Sequence, residues 1–188
     1  MRRRLSILLL ALPAIQCGHG VAERNAQALE QVRALRTTLH GINRDAFDRF
    51  TTLQEYPEIN RAFGTESLDP GTPLGLHFKE SLDLMLDQIL QKLGREERDG
   101  YFIGKAAKEV RRFGIWWRYQ ATMIQNRVDH LKDYFEKEKD RYTPAGQQRF
   151  LLGVQVLEEI VTVLRDYERS VEACARRIEA LDLKKGGW

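Results

Sequence analysis

Cysteine is almost absent: Cys17 and Cys174 are the only thiols in 188 residues. That excludes a disulfide-stapled scaffold. No Cys-x-x-Cys-His or His-Glu-x-x-His run is present to hold haem or zinc. The four histidines are His19, His40, His77 and His130. The residues three before the last three are Thr37, Leu74 and Arg127, so the Glu-x-x-His pairs that aim ligands at a di-iron centre in helical bundles are missing. No Gly-x-x-x-x-Gly-Lys-Ser/Thr phosphate loop and no Gly-x-Ser-x-Gly nucleophile elbow occurs. Asp129-His130 followed by Asp133 sets carboxylates near an imidazole, but charged neighbours on the wet face of a helix account for that grouping. No catalytic, metal or cofactor-binding residue is therefore assigned, and the chain reads as a non-enzyme without a cofactor.

A charge excess is missing as well. The 30 basic residues outnumber the 27 acidic ones only through Arg2, Arg3 and Arg4, and no Asp or Glu precedes Glu23. The body of the chain is neutral and lacks the net basic stripe that nucleic-acid binding requires, so a nucleic-acid partner is not expected. Proline is scarce and concentrated: three of the five lie at Pro57, Pro70 and Pro73. Long stretches on either side are therefore free to be helical.

What is present is apolar periodicity. Ile103, Ala106, Val110, Phe113, Trp117, Ile124, Val128, Leu131 and Phe135 recur at steps of three, four or seven, the spacing of one helix face. Phe150, Val154, Leu157, Val161, Leu164, Val171, Ile178 and Leu181 repeat it, with Tyr167 and Cys174 widening the stripe. Between the two, Thr143 suits an N-cap and Pro144 the first helical position. Residues 101–181 therefore read as a long helical hairpin bent at Tyr142-Thr143-Pro144. Two more amphipathic segments precede it. One runs from Glu23 to about Gln54, through Val32, Leu39, Ala46 and Phe50. The other, about Leu76 to Leu93, carries Leu86 and Ile89 and ends where Gly94 suits a C-cap. Tyr56 to Gly75 breaks the pattern and is either a binding loop or a connector. The expected fold is all-α: an antiparallel up-down four-helix bundle whose two long C-terminal helices form a hairpin. Residues 23–183 make the domain and 184–188 a tail.

The chain begins with Met1-Arg2-Arg3-Arg4, followed by an apolar run from Leu5 to Ile15 that contains Pro13. A basic start and a short apolar stretch make an export signal over residues 1–22, too short to span a bilayer comfortably. Cys17 follows directly, before Gly18. This start resembles the signal of bacterial lipoproteins, in which such a cysteine is lipidated and becomes the first mature residue. Gln16 stands where that family has a small residue, and Gly20-Val21-Ala22 offers a second cleavage point after Ala22. The resemblance covers only these first residues. It implies a periplasmic protein or a lipoprotein tethered to the membrane through Cys17. Cys174, on the apolar face of the last helix, reads as a buried, inert thiol.

The most unusual local run is Arg111-Arg112-Phe113-Gly114-Ile115-Trp116-Trp117-Arg118-Tyr119. At about 100° per residue, Trp116 turns away from the Phe113–Trp117 seam and joins Arg112, Tyr119 and Met123 in a second, partly apolar stripe. Aromatic and arginine side chains dominate binding hot spots, so these four are candidates for contacting a protein partner. The alternative is that the helix touches neighbours on two sides. A second reading makes the chain a carrier, with Trp117, Gln120, Ile124 and Arg127 lining a core cavity for a small apolar ligand.

Overall fold

A helix with a single apolar stripe is stable only when another element covers that stripe. Among the described residues of the computed structural model, four helices do this for one another. The structure describes residues 5–56, 59, 82–95 and 101–183, with side chains from Gly20 onward apart from Leu82, Asp83, Met85 and Leu183. Helix α1 is Leu5–Thr52, α2 is Leu82–Arg95, α3 is Phe102–Glu138 and α4 is Pro144–Leu183, with one-turn 3-10 segments at Leu53–Glu55 and Lys139–Arg141. The chain is an all-α bundle in which α3 and α4 pack along their length. Helix α1 runs unbroken through Ala22 and Glu23. The expected loop 56–75 lies outside the described residues apart from Tyr56 and Ile59, as do the first turns of the second helix and the tail 184–188.

The register follows from pairs that descend on one helix as they ascend on its neighbour. Arg118 meets Glu168 and Lys132 meets Glu158 across α3 and α4. Arg177 meets Gln31, Tyr167 meets Asn43 and Arg49 meets Glu159 across α4 and α1. Both interfaces are therefore antiparallel, and α4 lies between α3 and α1. Helix α2 is anchored to α1 by Arg36–Asp87 (2.8 Å) and to α3 by Lys92–Glu109 (2.7 Å). At about 1.5 Å per residue, its 14 residues span about 21 Å, against about 55 Å for the 37 of α3. It covers only one stretch of its longer neighbours.

The expected apolar positions form one cluster. All nine named on α3 are buried, and on α4 only Leu181 is partly exposed. The hairpin turns where expected. Tyr142 is extended, and the Thr143 hydroxyl accepts the Gly146 N–H at 3.2 Å as an N-cap. Gln147 Nε2 reaches back to the Lys139 carbonyl at 2.9 Å and satisfies an acceptor at the end of the incoming segment. Gly94 differs from expectation. It lies within α2, which ends one residue later at Arg95, and its backbone is not left-handed.

Two glycines set how close the chain can pack. A Cβ at Gly114 would lie 2.8 Å from Val171 Cγ1, and one at Gly153 would meet Ile59 and come within 3.0 Å of Tyr56 Cβ. Gly41 and Gly104 face open space. Gly114→Ala and Gly153→Ala are expected to destabilise by about 1–3 kcal/mol through overpacking. Gly104→Ala is expected to stabilise by up to about 1 kcal/mol through helix propensity. Chemical-denaturation midpoints compare them directly, and a Gly153→Ala midpoint at or above that of the parent contradicts the packing account.

Candidate functional site

The run from Arg111 to Tyr119 falls within α3, and the helical rotation distributes it among three environments. Phe113, Gly114 and Trp117 are buried. The Trp117 indole stacks on the Tyr167 ring at 4.2 Å and 8°, with the Phe113 ring edge-on at 6.0 Å and the Trp116 ring at 4.5 Å. The Tyr167 hydroxyl donates to Asn43 Oδ1 at 2.8 Å, so this stack ties α3 through α4 to α1. Burial holds the Tyr167 phenol well above its ordinary pKa, and it stays a protonated donor.

The second environment is the α3–α4 margin. Arg111 lies between two carboxylates one helical heptad apart. Its Nε donates to Glu172 at 3.2 Å and its Nη2 to Glu179 at 2.8 Å, while Nη1 also pairs with Glu179. The Arg111 guanidinium, helped by Arg176, holds the Glu172 carboxyl below its ordinary value of 4.5. Arg111 does the same to Glu179.

The third environment is solvent. Ile115 and Tyr119 are each 59% exposed and Met123 is 41% exposed. Their spacing of four places them in a line on the side of α3 opposite the core. Arg112 is exposed on the same side and pairs with Glu109 at 3.6 Å. Trp116 is half-buried: it packs against the core at the border of this line. Of the four candidate partner contacts, Arg112, Tyr119 and Met123 thus share an exposed face with Trp116 at its edge. Ile115 completes the face. The spacing Ile115-Tyr119-Met123 was its signal, obscured by the adjacent tryptophans.

Of the four candidate cavity residues, two are packed in the core and two are not. Trp117 has Tyr167 against its face, and Ile124 is buried in the core cluster. Gln120 is half-buried and Arg127 is exposed. Both lie farther round the helix than their proximity to the seam suggested, because a few residues of offset at about 100° each carry a side chain past the stripe's edge. Asp129, His130 and Asp133 are exposed, and Asp129 accepts from Gln125 at 3.0 Å. Cys174 is buried as expected. Its thiol faces the Gln31 carbonyl at 3.3 Å and burial pushes it up to about 11. Cys17 lies among residues whose side chains are not described.

Open grooves lie beside the core among the described residues. One of about 330 Å³ lies between α2 and α3, lined by Ile89, Phe113, Lys92, Glu109 and Arg112. The Lys92 hydrogen bond is the main reason the Glu109 carboxyl sits below its ordinary pKa. Another, about 240 Å³, lies between α1 and α4 over Ile42, Arg49 and Glu159. Among the described residues, no three His, Cys, Asp or Glu side chains are placed to hold a metal ion. Nor is any helix there long and apolar enough to cross a membrane. Comparison with protein-family models, with curated proteins and with solved structures finds no match.

The Arg111 clamp makes an acid-side prediction. Carboxyls whose folded-state pKa is depressed stabilise the fold above their ordinary value of 4.5. That stability is lost as pH falls through the lowered folded-state values. The clamp is about one-third exposed, at 36% for Arg111, so the effect is discounted to about 1 kcal/mol. Arg111→Ala should therefore lower stability by about that amount near neutrality. It should flatten the decline below pH 4.5. Denaturation midpoints measured against pH check this, and parallel curves for variant and parent refute the assignment.

Proposed function

We propose that this chain is a non-enzymatic, exported helical-bundle protein of the bacterial cell envelope. Its bundle presents the outer face of α3 to a protein partner. The observation that supports this is the exposed line of Ile115, Tyr119 and Met123, with the half-buried Trp116 at its edge. Isolated exposed apolar side chains are ordinary, but an aligned group with an aromatic centre and an arginine beside it has the composition of a binding hot spot. The side chains are held on a helix whose other face is locked into the core, so little ordering is required when a partner docks.

The export half of the proposal rests on the basic start, the apolar run and Cys17. Lipidation of Cys17 would tether the bundle to a membrane and restrict its partners to proteins of that surface. The carrier reading ranks second. Tyr167 occupies the Trp117 face that a core ligand would need, and Arg127 stands outside.

Two measurements test these points. A photo-crosslinking amino acid at Tyr119 in cells is expected to trap a protein, while one at exposed Gln148 on α4 is not. Equal trapping at both positions, or none at Tyr119, overturns the binding face. For export, intact mass is expected to show a mature chain beginning at Cys17 or Glu23. Palmitate labelling is expected to be lost in Cys17→Ala if lipidation operates. A mature protein that retains Met1 overturns the export reading.

A further inference from the structure

The antiparallel packing gathers the start of α1, the end of α2, the start of α3 and the end of α4 at one end of the bundle. Arg177 beside Gln31, Arg111 beside Glu179 and Lys92 beside Glu109 mark that level. Its charge is not balanced. Residues 92–95 and 101–112 hold six bases and one acid, and that acid, Glu109, is taken by Lys92. The adjoining stretches of α1 and α4, 20–30 and 172–182, hold only two more acids than bases. In the sequence, the charges of residues 96–100 and of Lys184-Lys185 cancel one another. Tyr101, Lys105, Lys108 and Arg112 follow at steps of four, three and four, which is one line of α3, and all four are exposed. Arg95 is exposed at the end of α2. Tyr101, at 82%, is the most exposed large apolar side chain among the described residues.

The opposite end is acidic. From Asp129 to Arg141 the chain has one more acid than base. Helix α1 adds Asp45, Asp48 and Glu55 against Arg49, and α4 adds Glu158 and Glu159 against Arg149. The body of the chain, neutral as a whole, is therefore polarised along its length. Its ends are about 50 Å apart, whereas charges are screened over about 10 Å at about 0.1 M salt. A charged surface met end-on therefore acts on the basic end alone.

We infer that this end docks on a membrane surface of anionic phospholipid. Tyr101 sits at the headgroup level, where tyrosine is favoured, and Arg95, Lys105, Lys108 and Arg112 face the phosphates. The course of α1 points to the same end. This helix enters the bundle there from Leu5, so a chain held by its apolar start or by Cys17 has this end toward the bilayer. A lipid anchor and a basic patch together hold where either alone is marginal. The bundle then stands on the surface, with Ile115 to Met123 about 20–35 Å above it and open to a protein partner. The inference rests on the envelope reading for the membrane that this end meets.

Vesicle binding tests it. The full chain with Cys17→Ser, which prevents lipidation, is expected to cosediment more strongly with vesicles of phosphatidylglycerol and phosphatidylcholine than with phosphatidylcholine alone. That preference should fade as salt rises. Arg95→Glu with Lys108→Glu should weaken binding to the anionic vesicles about tenfold. Lys137→Glu with Arg141→Glu, at the acidic end, should leave it unchanged. An environment-sensitive fluorophore on Gly104→Cys, where an added side chain meets open space, should brighten on anionic vesicles. The same label on Gln148→Cys should not. Equal binding to both kinds of vesicle, equal effects of the two pairs of reversals, or equal responses of the two labels overturns the inference. So does undiminished binding in the Arg95→Glu, Lys108→Glu variant, which assigns the attraction to Arg2, Arg3 and Arg4. A chain that retains Met1 in cells yet binds anionic vesicles through this end sinks export and leaves the lipid surface standing. A chain matured at Cys17 or Glu23 that shows no preference for anionic vesicles does the reverse.

Discussion

The stack of Trp117 on Tyr167 is the contact on which the rest of the structure depends. It joins the largest buried side chain of α3 to the middle of α4. The Tyr167 hydroxyl then extends the connection to Asn43 on α1. Three helices are thus pinned at one level by one aromatic pair and one hydrogen bond. Aromatic pairs contribute about 0.5–1.5 kcal/mol beyond the area they bury. The burial itself is the larger quantity, because removing a tryptophan from a packed core typically costs about 3–5 kcal/mol. Gly114, one turn before Trp117, keeps the backbones close enough for this contact by leaving room for Val171.

Around that pin, electrostatics select register more than they supply stability. The pairs Arg111 with Glu172 and Glu179, Arg118 with Glu168, and Lys132 with Glu158 run down one margin of the hairpin. Each is partly exposed and contributes at most about 1 kcal/mol. A slip by one heptad would separate Arg118 from Glu168 and Lys132 from Glu158, leave Arg111 only one of its two glutamates, and misplace the Trp117–Tyr167 stack as well. The clamp at Arg111 is the most constrained of the set because one guanidinium serves two carboxylates a heptad apart on the same α4 face.

The consequence for function is a division of labour within α3. One side is committed to α4 and α1, and a short α2 covers only part of a second side. Among the described residues, the remaining side carries the exposed Ile115, Tyr119 and Met123. The side chains offered to a partner are therefore carried on a rigid element whose orientation is set from behind by Trp117.

Much of this was legible in the residues themselves. Apolar spacing located the buried faces of α1, α3 and α4, because a stripe at helical period can be covered in few other ways. Thr143-Pro144 located the turn, because the cap and the missing N–H act within four residues. The aromatic-arginine run could be singled out as well, and rotation about the helix axis set Tyr119 and Met123 off the core stripe, while their exposure came only from the structure. Tertiary structure alone decided the rest. That Tyr167 fills the space beside Trp117, that Arg127 stands outside the seam, that Arg111 clamps two glutamates and that α4 lies between α3 and α1 all depend on pairing residues far apart in the chain. Periodicity specifies which face of a helix seeks burial. It carries no information about which other face will meet it, or at what register, since that is settled by the joint packing of side chains from several helices at once.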